Sequence, residues 1–290
     1  MKKSRKLATL GICSALFLGL AACQQQHATS EGTNQRQSSS AKVPWKASYT
    51  KLNNQVSTEE VKSLLSAHLD PNSVDAFFNL VNDYNTIVGS TGLSGDFTSF
   101  THTEYDVEKI SHLWNQKKGD FVGTNCRINS YCLLKNSVTI PKLEKNDQLL
   151  FLDNDAIDKG KVFDSQDKEE FDILFSRVPT EATTDVKVHA EKMETFFSQF
   201  QFNEKARMLS VVLHDNLDGE YLFVGHVGVL VPADDGFLFV EKLTFEEPYQ
   251  AIKFASKEDC YKYLGTKYAD YTGEGLAKPF IMDNDKWVKL

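Results

Sequence analysis

The sequence predicts an α+β domain, with helices through its first half and an antiparallel β meander after Ala206. Apolar residues recur at helical spacing behind capping signals in the stretch 57–134. After Ala206 the apolar runs turn β-branched and aromatic and are cut by Asp, Asn and Gly turns. The 290 residues are 41% hydrophobic and 25% charged, a globular composition with enough apolar material for a substantial core. Helices first and a meander after define an α+β architecture.

The elements follow in order. Lys2, Lys3, Arg5 and Lys6 precede an apolar run of 14 residues from Leu7 to Leu20, too short to span a bilayer comfortably, so residues 1–22 read as a secretory signal. Leu20-Ala21-Ala22-Cys23 resembles the lipobox of bacterial lipoproteins, which implies that Cys23 is acylated and becomes the first residue. A plain signal peptide with an incidental Cys is the alternative. Residues 24–42 contain no Val, Ile, Leu, Met, Phe, Trp or Tyr, so 23–42 read as a lipidated Cys and flexible tether. Such a coil spans about 25 Å root-mean-square. The folded part is expected as one domain over residues 43–290.

Ser57-Thr58-Glu59-Glu60 is a capping box followed by Val61, Leu64, Leu65 and Leu69 at helical spacing. Further helices are expected over about 73–85 and 104–116, separated by a Gly-rich break from Gly89 to Gly95. Thr124 or Asn125 can cap a helix that runs to about Leu134. Two more amphipathic helices are expected between Glu169 and Phe200. The strand runs are 208–213, 221–224, 226–231 and 237–240, split by turns at 215–219 and 233–236.

Charge excludes some partners. Lys plus Arg total 32 against 40 Asp plus Glu, a net charge of −8, and loss of the basic leader makes the chain more acidic still. Neither nucleic acid nor electrostatic adhesion to an anionic surface suits such a chain. His68, His102, His112, His189 and His214 show no metal-ligand spacing. There is no Cys-x-x-Cys, and Asp153-Asn154-Asp155 lacks the ligand and Gly of a calcium loop at Ile157 and Asp158. No metal and no cofactor are expected. Glu169-Glu170 and Glu246-Glu247 read as solvated faces.

Beyond the leader, Cys126, Cys132 and Cys260 remain. Six residues of helix separate the first two by about 9 Å, beyond disulfide reach, so any bridge must use Cys260. Cys132 shares the apolar face of Ile128 and Tyr131. Cys126 stands in the first helical turn, where unpaired N–H groups and the macrodipole favour a thiolate. In the hairpin after Gly225, a turn at 233–236 puts His226 near Lys242 and Leu243, with Glu241 one step away. A register slip of one residue decides whether Glu241 shares the His226 face. A thiol, a base and a group that orients the base are what a cysteine nucleophile requires. Taken singly, a small buried Cys126, a strand-end His226 and a Glu241 paired with Lys242 or Lys253 are the bland alternatives.

Asn125-Cys126-Arg127-Ile128, His226-Val227-Gly228-Val229 and Phe239-Val240-Glu241 together resemble the papain-like fold, in particular the NlpC-type cell-wall peptidases. In those, Asp-Cys-Ser-Gly opens the central helix, and a His-Val-Gly strand precedes the strand that ends in the third residue. Here Asn125 replaces the acidic residue, Arg127-Ile128 replace Ser-Gly, and a carboxylate replaces His or Asn. The resemblance implies Cys126 as nucleophile, His226 as base and Glu241 as orienter, with Thr124, Asn125, Arg127 and Asn129 lining the site.

Gly123-Thr124-Asn125-Cys126-Arg127-Ile128-Asn129-Ser130, Gly228-Val229-Leu230-Val231-Pro232 and the run from Phe239 to Gln250 resemble an uncharacterised family of bacterial lipoproteins, domain of unknown function 4300. Together the resemblances imply a monomeric lipoprotein on the outer face of a bacterial cell membrane, held by lipid on Cys23. It would hydrolyse peptide or amide bonds, with cell-wall peptide as substrate. A non-catalytic surface-binding lipoprotein that keeps the fold is the alternative. The anchor is directly testable: Cys23→Ala should shift the protein from the membrane fraction to the medium or block its processing, as fractionation and mass measurement would report.

Overall fold

The computed structural model describes residues 45–290, so the signal peptide, Cys23 and the tether lie outside the described residues. Most helices begin at side-chain caps. Asn54 accepts from the Ser57 amide and opens α1 (Gln55–Ser66), so the helix starts before the expected capping box and Ser57 is buried inside it. Asp70 and Pro71 open α2 (Pro71–Val88), and Gly89 ends it at φ 62. Asp106 caps α3 (Val107–Lys118), and Asn125 caps α4 (Cys126–Leu134) by accepting from the Ile128 amide.

Between α4 and the meander lie α5 (Phe151–Gly160), α6 (Ser165–Leu174) and α7 (Val186–Phe197). That is one helix more than expected. The run Asp153-Asn154-Asp155 masks α5, because Asp153 is buried and its carboxylate is bonded from α4. After the meander, α8 (Lys257–Lys267) starts at Ser256, which accepts from the Asp259 amide.

The strands are β1 (Ala47–Thr50), β2 (Thr98–Ser99), β3 (Val138–Thr139), β4 (Val178–Pro179), β5 (Gln201–Phe202) and β6 (Arg207–Asp215). Then come β7 (Tyr221–Ala233), β8 (Gly236–Lys242), β9 (Tyr249–Phe254), β10 (Phe280–Asp283) and β11 (Lys286–Val288). The large sheet is antiparallel throughout, in the order β11-β10-β6-β7-β8-β9-β1-β2, with β4 also paired to β7, and β3 pairs with β5 in a small second sheet. The simple order of helices then strands therefore needs correction. β1 and β2 come from the N-terminal half and extend the sheet beyond β9, and α8, β10 and β11 follow the meander.

Both faces of the central strands are covered, which explains their near-continuous apolar sequences. Val227, Val229, Val231, Leu238 and Val240 pack with α2 and α4, whereas Leu230, Phe239 and Ile252 pack with α8. Cys126, Cys132 and Cys260 are all buried, unpaired thiols. No helix among the described residues is long and apolar enough to cross a membrane.

The two-residue turn between β7 and β8 depends on Gly236, whose φ is 135 and where a Cβ would collide with the Phe254 carbonyl oxygen. Gly236→Ala should cost about 2 kcal/mol or more in chemical denaturation. Gly273→Ala, where a Cβ would meet Leu276 at an ordinary 3.5 Å, should be close to neutral.

Candidate active site

Cys126 is the first residue of α4, and two bonds tie that helix to β7 on either side of His226. The Arg127 Nη1 donates to the Val224 carbonyl at 2.9 Å, and Ser130 Oγ donates to the Val227 carbonyl at 3.2 Å. Between them β7 carries a bulge: Val211 pairs with His226 and Val212 with Val224, leaving Gly225 as the extra residue. A bulge breaks the strict alternation of a strand and re-aims the side chain beside it. Glycine suits that position, because a Cβ on Gly225 would press on the Leu213 side chain and force it to shift.

The register of β7 with β8 settles the position of Glu241. Val229 pairs with Val240, so Glu241 continues toward Gly228 and lies on the face that His226 reaches two residues further on. His226 Nε2 and Glu241 Oε2 are 2.5 Å apart. The imidazole stacks on Tyr268 at a centroid distance of 4.9 Å and an interplanar angle of 24°. Its other partner is Cys126, which hydrogen-bonds the ring and acts on it by charge. With Nε2 engaged by Glu241, Nδ1 is the nitrogen left for the sulfur. Burial opposes a charged His226, but Cys126 and Glu241, each by charge and by hydrogen bond, outweigh it and raise its pKa above the ordinary histidine value.

Only donors surround Glu241. Besides His226, Gln250 Nε2 and Tyr263 OH each donate to Oε1 at 2.5 Å, and Lys267 Nζ lies 3.5 Å from Oε2. Burial alone would neutralise this carboxyl, yet Lys267, His226 and Tyr263 hold its pKa well below the usual carboxylate range. Gln250 cannot turn its amide round, because its Oε1 accepts from Lys51 Nζ at 2.5 Å. Lys51 is itself buried, and burial brings its pKa down to about 7 despite the attraction of Glu241.

Lys51, Gln250, Tyr263 and Lys267 are absent from the sequence-based site. Gln250 could have been found, since it pairs directly with Glu241 across β8 and β9. Tyr263 and Lys267 stand four apart on α8 and carried no chemical signature. The other thiols are unsuited to nucleophilic work, as burial pushes Cys132 up to about 12 and Cys260 well above its ordinary value.

The expected lining residues act as framework. Asp153 accepts from Arg127 Nε at 2.9 Å, Arg127 Nη2 at 2.7 Å and Asn125 Nδ2 at 2.7 Å. Asn125 and Arg127, the departures from the Asp-Cys-Ser-Gly motif, are thus both anchored on α5. Thr124, Asn129 and Tyr249 form a buried triangle: Asn129 Nδ2 donates to Thr124 Oγ1 at 2.9 Å, the Tyr249 hydroxyl donates to Asn129 Oδ1 at 3.0 Å, and the two hydroxyls are 3.1 Å apart. Glu247 also needs correction as a solvated residue. It is partly buried, and desolvation raises its pKa against Lys267, Lys242 and Lys51. Among the described residues no three His, Cys, Asp or Glu side chains converge as a metal group.

Because Glu241 meets donors on every side, Glu241→Gln must turn an NH2 toward one of them. The substitution should cost about 3 kcal/mol of stability, against about 1 kcal/mol for Tyr263→Phe, in urea denaturation at neutral pH.

Comparison with curated proteins and with solved structures returns no match. Residues 48–288 match the family model described as Domain of unknown function (DUF4300), which spans β1 to β11 and contains Cys126, His226 and Glu241. With most of its length covered by that model, the chain belongs to the DUF4300 family.

Proposed function

We propose that this protein is a cysteine hydrolase of peptide or amide bonds with a papain-like, NlpC-type core. The observation that carries this reading is His226, engaged by Cys126 on one side and by Glu241 on the other. In the reaction, the Cys126 thiolate attacks the carbonyl carbon, and the oxyanion that forms accepts from the Cys126 backbone N–H. His226, protonated, gives its proton to the leaving amine as the C–N bond breaks and a thioester remains. Water then attacks the thioester with neutral His226 taking its proton, and the products are a carboxylic acid and the regenerated thiol. Glu241 fixes the imidazole and favours its protonated form.

The protein would be a lipoprotein anchored through Cys23 on the extracytoplasmic face, with cell-wall peptides as its substrate. The substrate follows from the resemblance to NlpC-type enzymes and from a tether that holds the domain beside the wall. A second reading is a binding lipoprotein that keeps this core without activity. It is favoured by the closure of the site, since Cys126, His226 and Glu241 are 1%, 2% and 1% exposed.

Iodoacetamide labelling at pH 6 with peptide mapping separates the two readings. The hydrolase reading expects Cys126 to be labelled ahead of Cys132 and Cys260, and His226→Ala to slow that labelling by more than about ten-fold. With a wall stem peptide as substrate, Cys126→Ala or His226→Ala should reduce turnover by at least about a thousand-fold. Labelling of Cys126 that ignores His226 would leave the binding reading.

A further inference from the structure

A nucleophile at 1% exposure can act only if something moves, and one element is built to do so. The loop from β8 to β9, residues 244–248, lies against the segment that leads into Cys126. The Phe245 carbonyl oxygen is 3.6 Å from where a Cβ would stand on Gly123. The Leu243 N–H donates to the Pro248 carbonyl at the base of the loop, Thr244 Oγ1 accepts from the Glu246 and Glu247 amides inside it, and two side chains from below tie it to the body. Lys242 Nζ lies in bonding range of the Thr244 carbonyl at 2.8 Å, the Phe245 carbonyl at 3.2 Å and the Glu247 carbonyl, so every N–H it carries, three when protonated, is spent on one loop. The Tyr84 hydroxyl donates to the Glu246 carbonyl. Beneath lies a small pocket bordered by Tyr84, Trp114, Phe121, Thr124, Lys242 and Tyr249, which reaches within two residues of Cys126.

We propose that residues 244–248 are a lid over Cys126, latched to the body by Lys242 and Tyr84, and that its opening admits the substrate. This rests on the hydrolase reading for its purpose, though not for its mechanics. The latch suits a reversible cover. Its bonds run from side chains to backbone carbonyls, so the loop can lift without breaking the sheet on either side. Lys242 is 1% exposed, with its ammonium 4.1 Å from the Tyr84 ring centroid and 5.1 Å from that of Tyr249. The titratable groups that face it are Glu246 and Glu247 on the lid and Cys126 on α4.

Burial brings the Lys242 pKa down to about 7 against the attraction of those three groups. An open lid lets water reach the amine and returns that pKa toward the ordinary lysine value of 10.5. The open state then binds more protons than the closed one between those two values. Opening is therefore favoured as pH falls from about 10 toward 7 and levels off below.

Hydrogen exchange of the full chain, corrected for intrinsic rates, tests the lid directly. Tyr84→Phe keeps the ring packed against Trp114 and Tyr249 and removes one latch bond. The amides of Phe245, Glu246 and Glu247 should exchange about five-fold faster, with Cys126 alkylation accelerating alongside and Cys132 and Cys260 unchanged. Lys242→Met should speed the same amides further and abolish their pH dependence. Unchanged exchange at 245–247 in Tyr84→Phe would overturn the lid, as would faster loop exchange with no change at Cys126. Either failure is separable from failure of the hydrolase reading, which shows as loss of the His226 dependence of labelling while the loop still responds.

Discussion

A carboxylate buried as deeply as Glu241 survives as a charge only when donors meet it on every side, and much of the site follows from that demand. His226 comes from β7, Gln250 from β9, and Tyr263 and Lys267 from α8. Lys51, just past β1, fixes the sense of the Gln250 amide. The network thus reaches β1, the strand most distant in sequence from the meander, which its own ladder places beside β9. It also gives α8 its role as cover, since its polar groups would be costly against a purely apolar sheet face. The arrangement is all or none in character, because removing one donor leaves the others facing an incompletely satisfied charge.

The second half of the site belongs to the opposite face of the sheet. α4 is buried along its whole length except for Arg127, and its position is set by polar bonds as much as by packing. Arg127 and Ser130 hold it to β7 on either side of His226, and Asp153 holds Arg127 and Asn125 in turn. Residues that first look like substitutions in a catalytic motif are thus the means by which the helix is registered on the strand. The bulge at Gly225 does the complementary work, since without it strict alternation would govern where His226 points.

Two lysines with opposite surroundings flank this core. Lys51 donates to a side chain that belongs to the Glu241 network, and Lys242 donates to backbone carbonyls of the loop that closes the site. Both are buried and both have their pKa brought down to about 7, so each costs the fold some stability near neutral pH. Groups held at such cost mark the parts of a structure where specificity or motion outweighs stability.

What the sequence determined by itself was local. A cap at Thr124 or Asn125, Cys126 in the first turn of α4, Cys132 as a core thiol, the hairpins, and the pairing of Val229 with Val240 all follow from short-range spacing and turn chemistry. The pair His226 and Glu241 was within one residue of certainty, and a single step of register decided it. Tertiary structure decided the rest, because its causes are far apart in the chain. The capture of Lys51 by Gln250 spans 199 residues, and that of Asn129 by Tyr249 spans 120. A helix such as α5 was hidden for the same reason: its acidic run reads only as an incomplete calcium loop until Arg127 and Asn125, 26 and 28 residues earlier, supply the partners that let Asp153 be buried. Burial of a charge is settled by its partners, and partners at such separations leave no periodic trace in the sequence.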